Sequence, residues 1–175
     1  MWVTLNSLDT TGYFVSYAAT SSDNCLLLTM AGFDSSDIGV WRHFVVTYDP
    51  DADQTYTYLD GVNDQNFIAG AFCGDTGPGA LAIAQEQDAI GGSYELGDEA
   101  DIVIDTVAIY NTYWSSDEVN AREGNCVNLH DPALTTVWSG FTRGKDLVGN
   151  NDAEMNIYGW EEGASLTCDD YNLGS

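Results

Sequence analysis

Short runs of β-branched and aromatic residues alternate with turn signals along most of the chain. The runs lie at 12–18, 25–30, 41–48, 54–59, 79–84 and 102–110. This composition is typical of strands, and the Asp60-Gly61 dipeptide is a strong hairpin signal because both residues tolerate positive φ. The pattern predicts an all-β fold built as an antiparallel β-sandwich.

One segment, SSDEVNAREGN at 115–125, has the pattern of a short α-helix. A serine can cap its first turn, acidic residues follow the serine, Arg122 lies in the last turn and Gly124 ends the helix. Beyond Cys126 the pattern loosens, and we interpret the rest as a tail that packs back on the sandwich. The predicted organisation is a sandwich over 1–126 and an appended segment over 127–175.

The chain is strongly acidic but has the composition of a folded protein. It has 28 Asp and Glu against 4 Lys and Arg, a net charge of −24, while 44% of its residues are hydrophobic. Phosphate binding requires a basic face, so this charge excludes nucleic acid and anionic membranes as partners. The acids either form a solvated surface or converge in places on cations.

Targeting signals and cysteines indicate where the protein works. No run reaches the roughly 18 apolar residues of a spanning helix, which predicts no membrane insertion. Residues 1–15 lack the basic start and apolar block of a signal peptide. The four cysteines match no zinc spacing and favour disulfides. We expect a secreted or cell-surface protein, with this chain cut from a longer one.

The stretch AIAQEQDAIGGSYELGD at 82–98 holds four carboxylates and neither Lys nor Arg. The carboxylates belong to Glu86, Asp88, Glu95 and Asp98. Without cations such groups repel one another or protonate. Taken alone, the stretch fits either a solvated acidic loop or a site for Ca²⁺, which prefers six to eight oxygens in loosely constrained geometry.

Several motifs resemble those of a known superfamily. The motifs WRHFVVTYD (41–49), YTYLDG (56–61), IDTVAIYN (104–111) and WSSDEV (114–119) resemble the laminin G and concanavalin A-like jelly rolls. LAIAQEQDAIGGSYE (81–95) resembles the pentraxin branch, although Ala84 stands where pentraxins have glycine. SYAATSSDNCLLL (16–28) resembles the pentraxin segment that ends in Asp-Asn. The resemblance, over roughly 2–140, implies a jelly-roll sandwich whose first strand precedes Met1.

The resemblance also implies two neighbouring calcium ions, about 4 Å apart. The implied ligands of the first ion are Asp23, Asn24, Glu86, Gln87 through its backbone carbonyl, and Asp88. The second ion shares Glu86 and Asp88 and adds Glu95 and Asp98, the last where the family has Gln. The five carboxylates carry −5, close to the +4 of two Ca²⁺ ions. Gly91-Gly92 would let the loop fold back toward the ions.

Catalysis is the alternative use of paired carboxylates in this class of fold. Some glucanases hydrolyse glycosides with a Glu-x-Asp-x-x-Glu strand, whose outer carboxylates flank the scissile bond. Here Glu86-Gln87-Asp88 begins the pattern, but Gly91 stands where the third acid is needed. The histidines have no nucleophile at an identifiable spacing. We therefore predict that the protein is not an enzyme and has no catalytic residues.

Other residues have structural interpretations. We expect His43 to be a packed strand residue and His130 a loop residue. The tryptophans could form a sugar-stacking platform, but Trp41 and Trp114 fall where the family packs its sandwich. Core packing is therefore the favoured role of the tryptophans.

The resemblance implies one disulfide directly. Cys126 and Cys168 enclose a segment similar to the closing segment of pentraxin-like modules, with Trp138 and Phe141 at matching places. That pairing leaves Cys25 and Cys73 as the second pair. Because Cys25 directly follows Asn24, the second bond would anchor the calcium loop.

These inferences converge on a calcium-dependent, lectin-like extracellular binding module of the pentraxin type. Its expected ligands are small molecules or glycans bearing phosphate, carboxylate or carbohydrate groups, bound through the calcium ions. The alternative is a structural adhesion or assembly module of a larger extracellular protein, in which calcium only stabilises the sandwich. Protein partners or self-assembly are expected in that case.

Overall fold

The computed structural model describes residues 1–8, 12–75, 78–95, 97–138 and 145–151. Within these ranges the chain forms eleven strands and one α-helix, α1 (Ser116–Arg122). The strands are β1 (Trp2–Leu5), β2 (Tyr13–Ala19), β3 (Ser22–Thr29), β4 (Arg42–Asp49), β5 (Gln54–Leu59), β6 (Val62–Asn63), β7 (Ile68–Gly70), β8 (Gly79–Ile83), β9 (Ile102–Asp105), β10 (Val107–Tyr110) and β11 (Leu134–Trp138). All the pairs between these strands are antiparallel, which confirms the predicted fold class.

The strands form two main sheets around an aromatic core. One sheet has the order β6-β5-β4-β1-β9 and the other the order β7-β3-β2-β8, while β10 and β11 form a third, two-stranded sheet. Between the main sheets lie Phe14, Phe33, Phe44 and Phe67, with the Phe14–Phe44 and Phe33–Phe67 ring centroids 4.7 and 4.8 Å apart. Edge-on ring contacts of this kind stabilise the core beyond the area that they bury.

The helix and the acidic loop lie on opposite outer faces of the sandwich. On β4, Phe44 points into the core, while its neighbour Val45 packs outside with Val119 of α1. On β2, Val15 belongs to the core, while the hydroxyl of its neighbour Ser16 accepts a hydrogen bond from the backbone N–H of Gln87 in the loop that follows β8. Because successive side chains of a strand alternate between faces, each outer face carries one of these two elements.

The predicted helix and hairpin are confirmed. Ser115 and Glu118 form a capping box at the start of α1, and Arg122 lies in the last turn. Asp60 and Gly61 have φ values of 49° and 76°, and they join β5 to β6 as a tight turn between strands requires.

One prediction about the strands is wrong, and one strand was not predicted. The run 102–110 forms two strands, β9 and β10, because Thr106 has a φ of 50° and interrupts the extended backbone between them. Strand β11, after Cys126, was not predicted; it pairs with β10 and places Val137 opposite Ala108. The Leu-Thr-Thr-Val-Trp sequence of β11 has strand composition that could have identified it.

Both histidines and Trp114 have the predicted structural roles. The imidazole centroid of His43 lies 4.9 Å from the ring centroid of Trp2, and its Nδ1 forms a 2.7 Å hydrogen bond with the carboxylate of Glu123. His43 is therefore a packed strand residue. His130 is exposed in a turn. Trp114 packs against the cluster beneath α1, and the Arg122 guanidinium lies 4.2 Å from its ring centroid. Trp160 and Phe141 lie outside the described residues.

Candidate functional site

The acidic loop is attached to the four-stranded sheet by one buried side chain, that of Gln87. Its amide nitrogen donates to the backbone carbonyls of Ser16 on β2, at 3.1 Å, and of Ala80 on β8, at 2.9 Å. Its side-chain oxygen accepts a 2.9 Å bond from the backbone N–H of Gly91. Gln87 is fully buried, so these bonds fix the start of the loop against both strands. Only its backbone remains for the ligand role that the resemblance implies.

The middle of the loop reverses direction in a tight turn. The backbone N–H of Gly92 donates to the carbonyl of Ala89 across 3.0 Å, and Gly91 has a φ of 69°. This left-handed conformation favours glycine. The structure therefore supports the prediction that the Gly-Gly pair folds the loop back on itself.

Ala84, at the start of the loop, also adopts a left-handed conformation, with a φ of 63°. Its N–H donates to the carbonyl of Phe14 and its own carbonyl accepts from Ala100, so the backbone is held on both sides. A side chain at such a φ is strained, which accounts for the glycine of the pentraxin pattern at this position.

Glu86 is the buried acid of the loop. It is only 6% exposed, and no hydrogen-bond or ion-pair partner for its carboxylate exists in the part of the chain that the structure describes. Burial raises the pKa of Glu86, and the nearby carboxylates raise it further. Those carboxylates belong, in order of effect, to Asp88, Asp98, Glu95 and Asp23. The structure thus brings the other four predicted acids into electrostatic reach of Glu86.

The other predicted ligands are more exposed, and their backbones are anchored. Asp88 and Glu95 are exposed and Asp98 is half-buried. The side-chain amide of Gln85 donates to the carbonyl of Glu95, and the N–H of Tyr13 donates to the carbonyl of Asp98. The returning arm of the loop is therefore tied to its first arm and to β2.

The remaining ligands come from a distant part of the chain. Asp23 and Asn24 are exposed at the start of β3, where the N–H of Asn24 donates to the Asp23 carboxylate across 3.0 Å. Asp23 nevertheless lies close enough to Glu86 to raise its pKa. Asp23 at the start of β3 is therefore within electrostatic reach of Glu86 in the loop that follows β8.

The donor set suits a hard cation. Across the described ranges, no three His, Cys, Asp or Glu side chains are close enough to hold one metal ion as they stand. The acids within electrostatic reach of Glu86 offer only oxygen ligands, which fit Ca²⁺ and its tolerance of irregular geometry and do not fit the N and S preference of zinc.

One predicted disulfide is confirmed, and Cys126 of the other predicted pair is disulfide-bonded. Cys25 is bonded to Cys73, as predicted, next to the candidate ligand Asn24. Cys126 is also disulfide-bonded. Its predicted partner Cys168 lies outside the described residues, so that pairing stays a prediction.

Sequence reasoning missed the residues that support the site. These are Ser16 and Ala80, which hold Gln87, and Asp75, whose carboxylate accepts from the N–H of Ser21. The buried Ser16 on an otherwise apolar strand is the signal that could have identified the first of them.

Comparison with known proteins places the chain in a superfamily. The laminin G-type model of the concanavalin A-like lectin/glucanases superfamily matches residues 1–120, and the chain belongs to this superfamily. A search of curated proteins returned no match. The superfamily fits the observed antiparallel sandwich and a lectin-like or adhesion module. No helix among the described residues is long and apolar enough to cross a membrane.

Proposed function

We propose that this chain is a calcium-dependent binding module of the pentraxin type. It holds two Ca²⁺ ions on the outer face of the four-stranded sheet, between the start of β3 and the loop that follows β8. The ions bind anionic or carbohydrate oxygens of a ligand. The protein is not an enzyme, since the position of the missing third acid is occupied by Gly91, whose left-handed φ serves the turn.

The environment of Glu86 is the observation that carries this proposal. An ionised carboxylate on a residue that is only 6% exposed, with no hydrogen-bond donor among the described residues, is unfavourable unless it protonates or meets a cation. Burial raises the pKa of Glu86, and repulsion from its four acidic neighbours further disfavours the ionised carboxylate. A divalent cation relieves both burial and repulsion at once.

The exposed acids define where a ligand would bind. Asp88 and Glu95 face solvent, so one side of the proposed site is open. Calcium takes six to eight oxygens, more than these side chains supply, and phosphate, carboxylate or sugar hydroxyl oxygens complete the set. The protein residues hold the cations and orient them toward that open side.

A second function, in which calcium only stabilises the module, is favoured by the separation of the candidate ligands along the chain. Asp23 and Asn24 belong to β3, whereas Glu86 to Asp98 belong to a loop far along the chain. Cations between them would join two separate parts of the sheet, as expected for calcium that only stabilises an adhesion or assembly module. Protein partners or self-assembly would then replace a small ligand.

The Cys25–Cys73 disulfide and the superfamily both favour an extracellular location. Disulfides persist in secreted and cell-surface proteins and are rare in the cytosol. We therefore place the module outside the cell, within a secreted or cell-surface protein.

Titration calorimetry tests the proposal in two steps. Calcium is titrated first into the wild-type chain, then into Glu86→Gln and into Asp51→Asn, whose exposed acid lies in the β4–β5 turn of the other main sheet. We expect binding at submillimolar calcium that Glu86→Gln removes and Asp51→Asn retains. No calcium binding at millimolar concentration contradicts the proposal.

The second step separates the two functions. Phosphocholine, a phosphomonoester and an acidic sugar are titrated with and without calcium. Calcium-dependent binding of any of them supports the ligand module. Calcium binding with no ligand response supports the stabilising role instead.

A further inference from the structure

The start of β3 is held in place by a second segment, residues 71–75, which follows β7. Cys73 is bonded to Cys25 through sulfur, and the N–H of Cys73 donates to the carbonyl of Cys25 across 2.8 Å. Two residues on, the Asp75 carboxylate accepts from the N–H of Ser21 at 3.2 Å. The hydroxyl of Ser21 also lies 3.8 Å from the sulfur of Cys73.

These contacts bracket the two candidate ligands of β3. Ser21 precedes Asp23 and Asn24, and Cys25 follows them, so segment 71–75 holds the chain on both sides of the pair. The ligands themselves are exposed, and the β2–β3 register shifts just before the hairpin end, between Tyr17 and Ala19. Pairing with β2 alone therefore gives this end of β3 little constraint.

The rest of β3 does not depend on the disulfide. Leu26 and Leu28 pack on the main core and pair with β2, and Leu27 and Leu28 pair with β7. Loss of the Cys25–Cys73 bond would thus free the end that carries Asp23 and Asn24 while the sheet persists.

We infer that the Cys25–Cys73 disulfide is a positioning element of the calcium site, and that its reduction weakens calcium binding. This inference rests on the proposed function. With the bond intact, the chain on both sides of Asp23 and Asn24 is held by segment 71–75. After reduction, ordering the start of β3 costs free energy that calcium binding must supply. Residues that orient metal ligands typically change metal affinity by 10–100-fold when they are removed.

The exposure of the two cysteine residues indicates how reduction proceeds. Cys73 is exposed, whereas Cys25 is fully buried. A thiolate of a dithiol attacks the Cys73 sulfur, breaks the bond to Cys25 and expels the Cys25 thiolate, which takes up a proton. The second thiol of the reductant then displaces Cys73 as a thiol. Two electrons pass to the protein, and the reductant becomes a disulfide.

Calcium calorimetry on the oxidised and the dithiothreitol-reduced chain tests the inference, with Cys25→Ser/Cys73→Ser as the matched control. We expect the oxidised wild type to bind calcium, and reduction to weaken the affinity about tenfold. The double variant should have the weak affinity under both conditions, because the reductant then acts on no bond at the site. Far-UV circular dichroism should show that the sheet persists.

A variant that keeps the disulfide guards against misfolding of the double variant. Asp75→Ala removes the acceptor for Ser21, whereas Asp75→Asn keeps an acceptor and removes the same charge. We expect weaker calcium binding by Asp75→Ala than by Asp75→Asn.

Failure of this inference differs from failure of the proposed function. If the oxidised wild type binds calcium and reduction changes its affinity less than twofold, the disulfide has no positioning role. Equal affinities of the two Asp75 variants would contradict the role of segment 71–75. If the oxidised wild type itself binds no calcium, the proposed function is wrong and this inference falls with it.

Discussion

The side-chain amide of Gln87 donates to the backbone carbonyl of Ser16 across 3.1 Å, and this bond joins the acidic loop to the middle of β2. The neighbouring Glu86 is thereby held against the sheet, where it is buried without a partner. The position of Gln87 thus places Glu86 where burial raises its pKa.

Replacing Gln87 with alanine should destabilise the fold and release the loop. The variant loses three side-chain hydrogen bonds and leaves a cavity. We expect a loss of about 2–4 kcal/mol in the free energy of unfolding, measured by chemical denaturation. A loss below about 0.5 kcal/mol would show that the amide does not anchor the loop.

Replacing Ala84 with glycine should stabilise the calcium-free protein. Its φ of 63° is strained for alanine and free for glycine, although glycine also gains freedom in the unfolded chain. We expect a net gain of up to about 1 kcal/mol in the free energy of unfolding. Ala89→Gly on the same loop is the control, because Ala89 has no positive φ. If Ala84→Gly lost as much stability as the control, the left-handed, strained conformation of Ala84 would be contradicted.

Without calcium, Glu86→Gln should be more stable than the wild type at neutral pH. The folded-state pKa of Glu86 is raised above its ordinary value of 4.5, so ionisation of Glu86 disfavours the fold. The advantage of the variant is full above the raised pKa and disappears as the pH falls through it toward 4.5. Thermal denaturation of both proteins in a chelator between pH 4 and 8 measures this difference. A difference that does not change with pH would contradict the environment of Glu86 described here.

Asp146 should show the opposite pH dependence. Burial alone would raise its pKa, but the backbone N–H groups of Val137, Val148, Gly149 and Asn151 lower it to about 2. A depressed pKa contributes stability above the ordinary value of 3.8, and this contribution is lost as the pH falls toward 2. Asp146→Asn should therefore cost about 1–3 kcal/mol at pH 7 and show a smaller loss between pH 4 and 2, measured by denaturant titration. Equal acid sensitivity of both proteins would contradict this role.

The sequence predicted most of the strands because their periodicity and turn chemistry are local. Asp60-Gly61 identified its hairpin and Ser115 its helix, since caps and positive φ leave direct signatures. The break at Thr106 left no such signature, because a β-branched residue with positive φ is uncommon and is stabilised by tertiary context. For the same reason, one strand was predicted where two exist.

The candidate site was predicted through its acids, and its supports were not. Glu86 and Asp88 stand out in sequence because like charges are concentrated, and the resemblance added Asp23 and Asn24. The burial of Glu86 depends on where Gln87 meets Ser16, a contact between residues 71 positions apart. Contacts of that separation are set by the packing of the sheet, and local patterns do not encode them.

The calcium dependence of the melting temperature tests the central claim most directly. Calcium that binds only the ordered site stabilises the wild type by mass action, so its melting temperature should rise with calcium concentration. Glu86→Gln should lose most of this rise, whereas Asp51→Asn should keep it. In a chelator the melting temperature of Glu86→Gln should lie above that of the wild type, and in calcium it should lie below. Equal shifts in Glu86→Gln and Asp51→Asn, or an equal shift with magnesium, would mean that diffuse screening of the −24 charge explains the effect and that no specific calcium site exists.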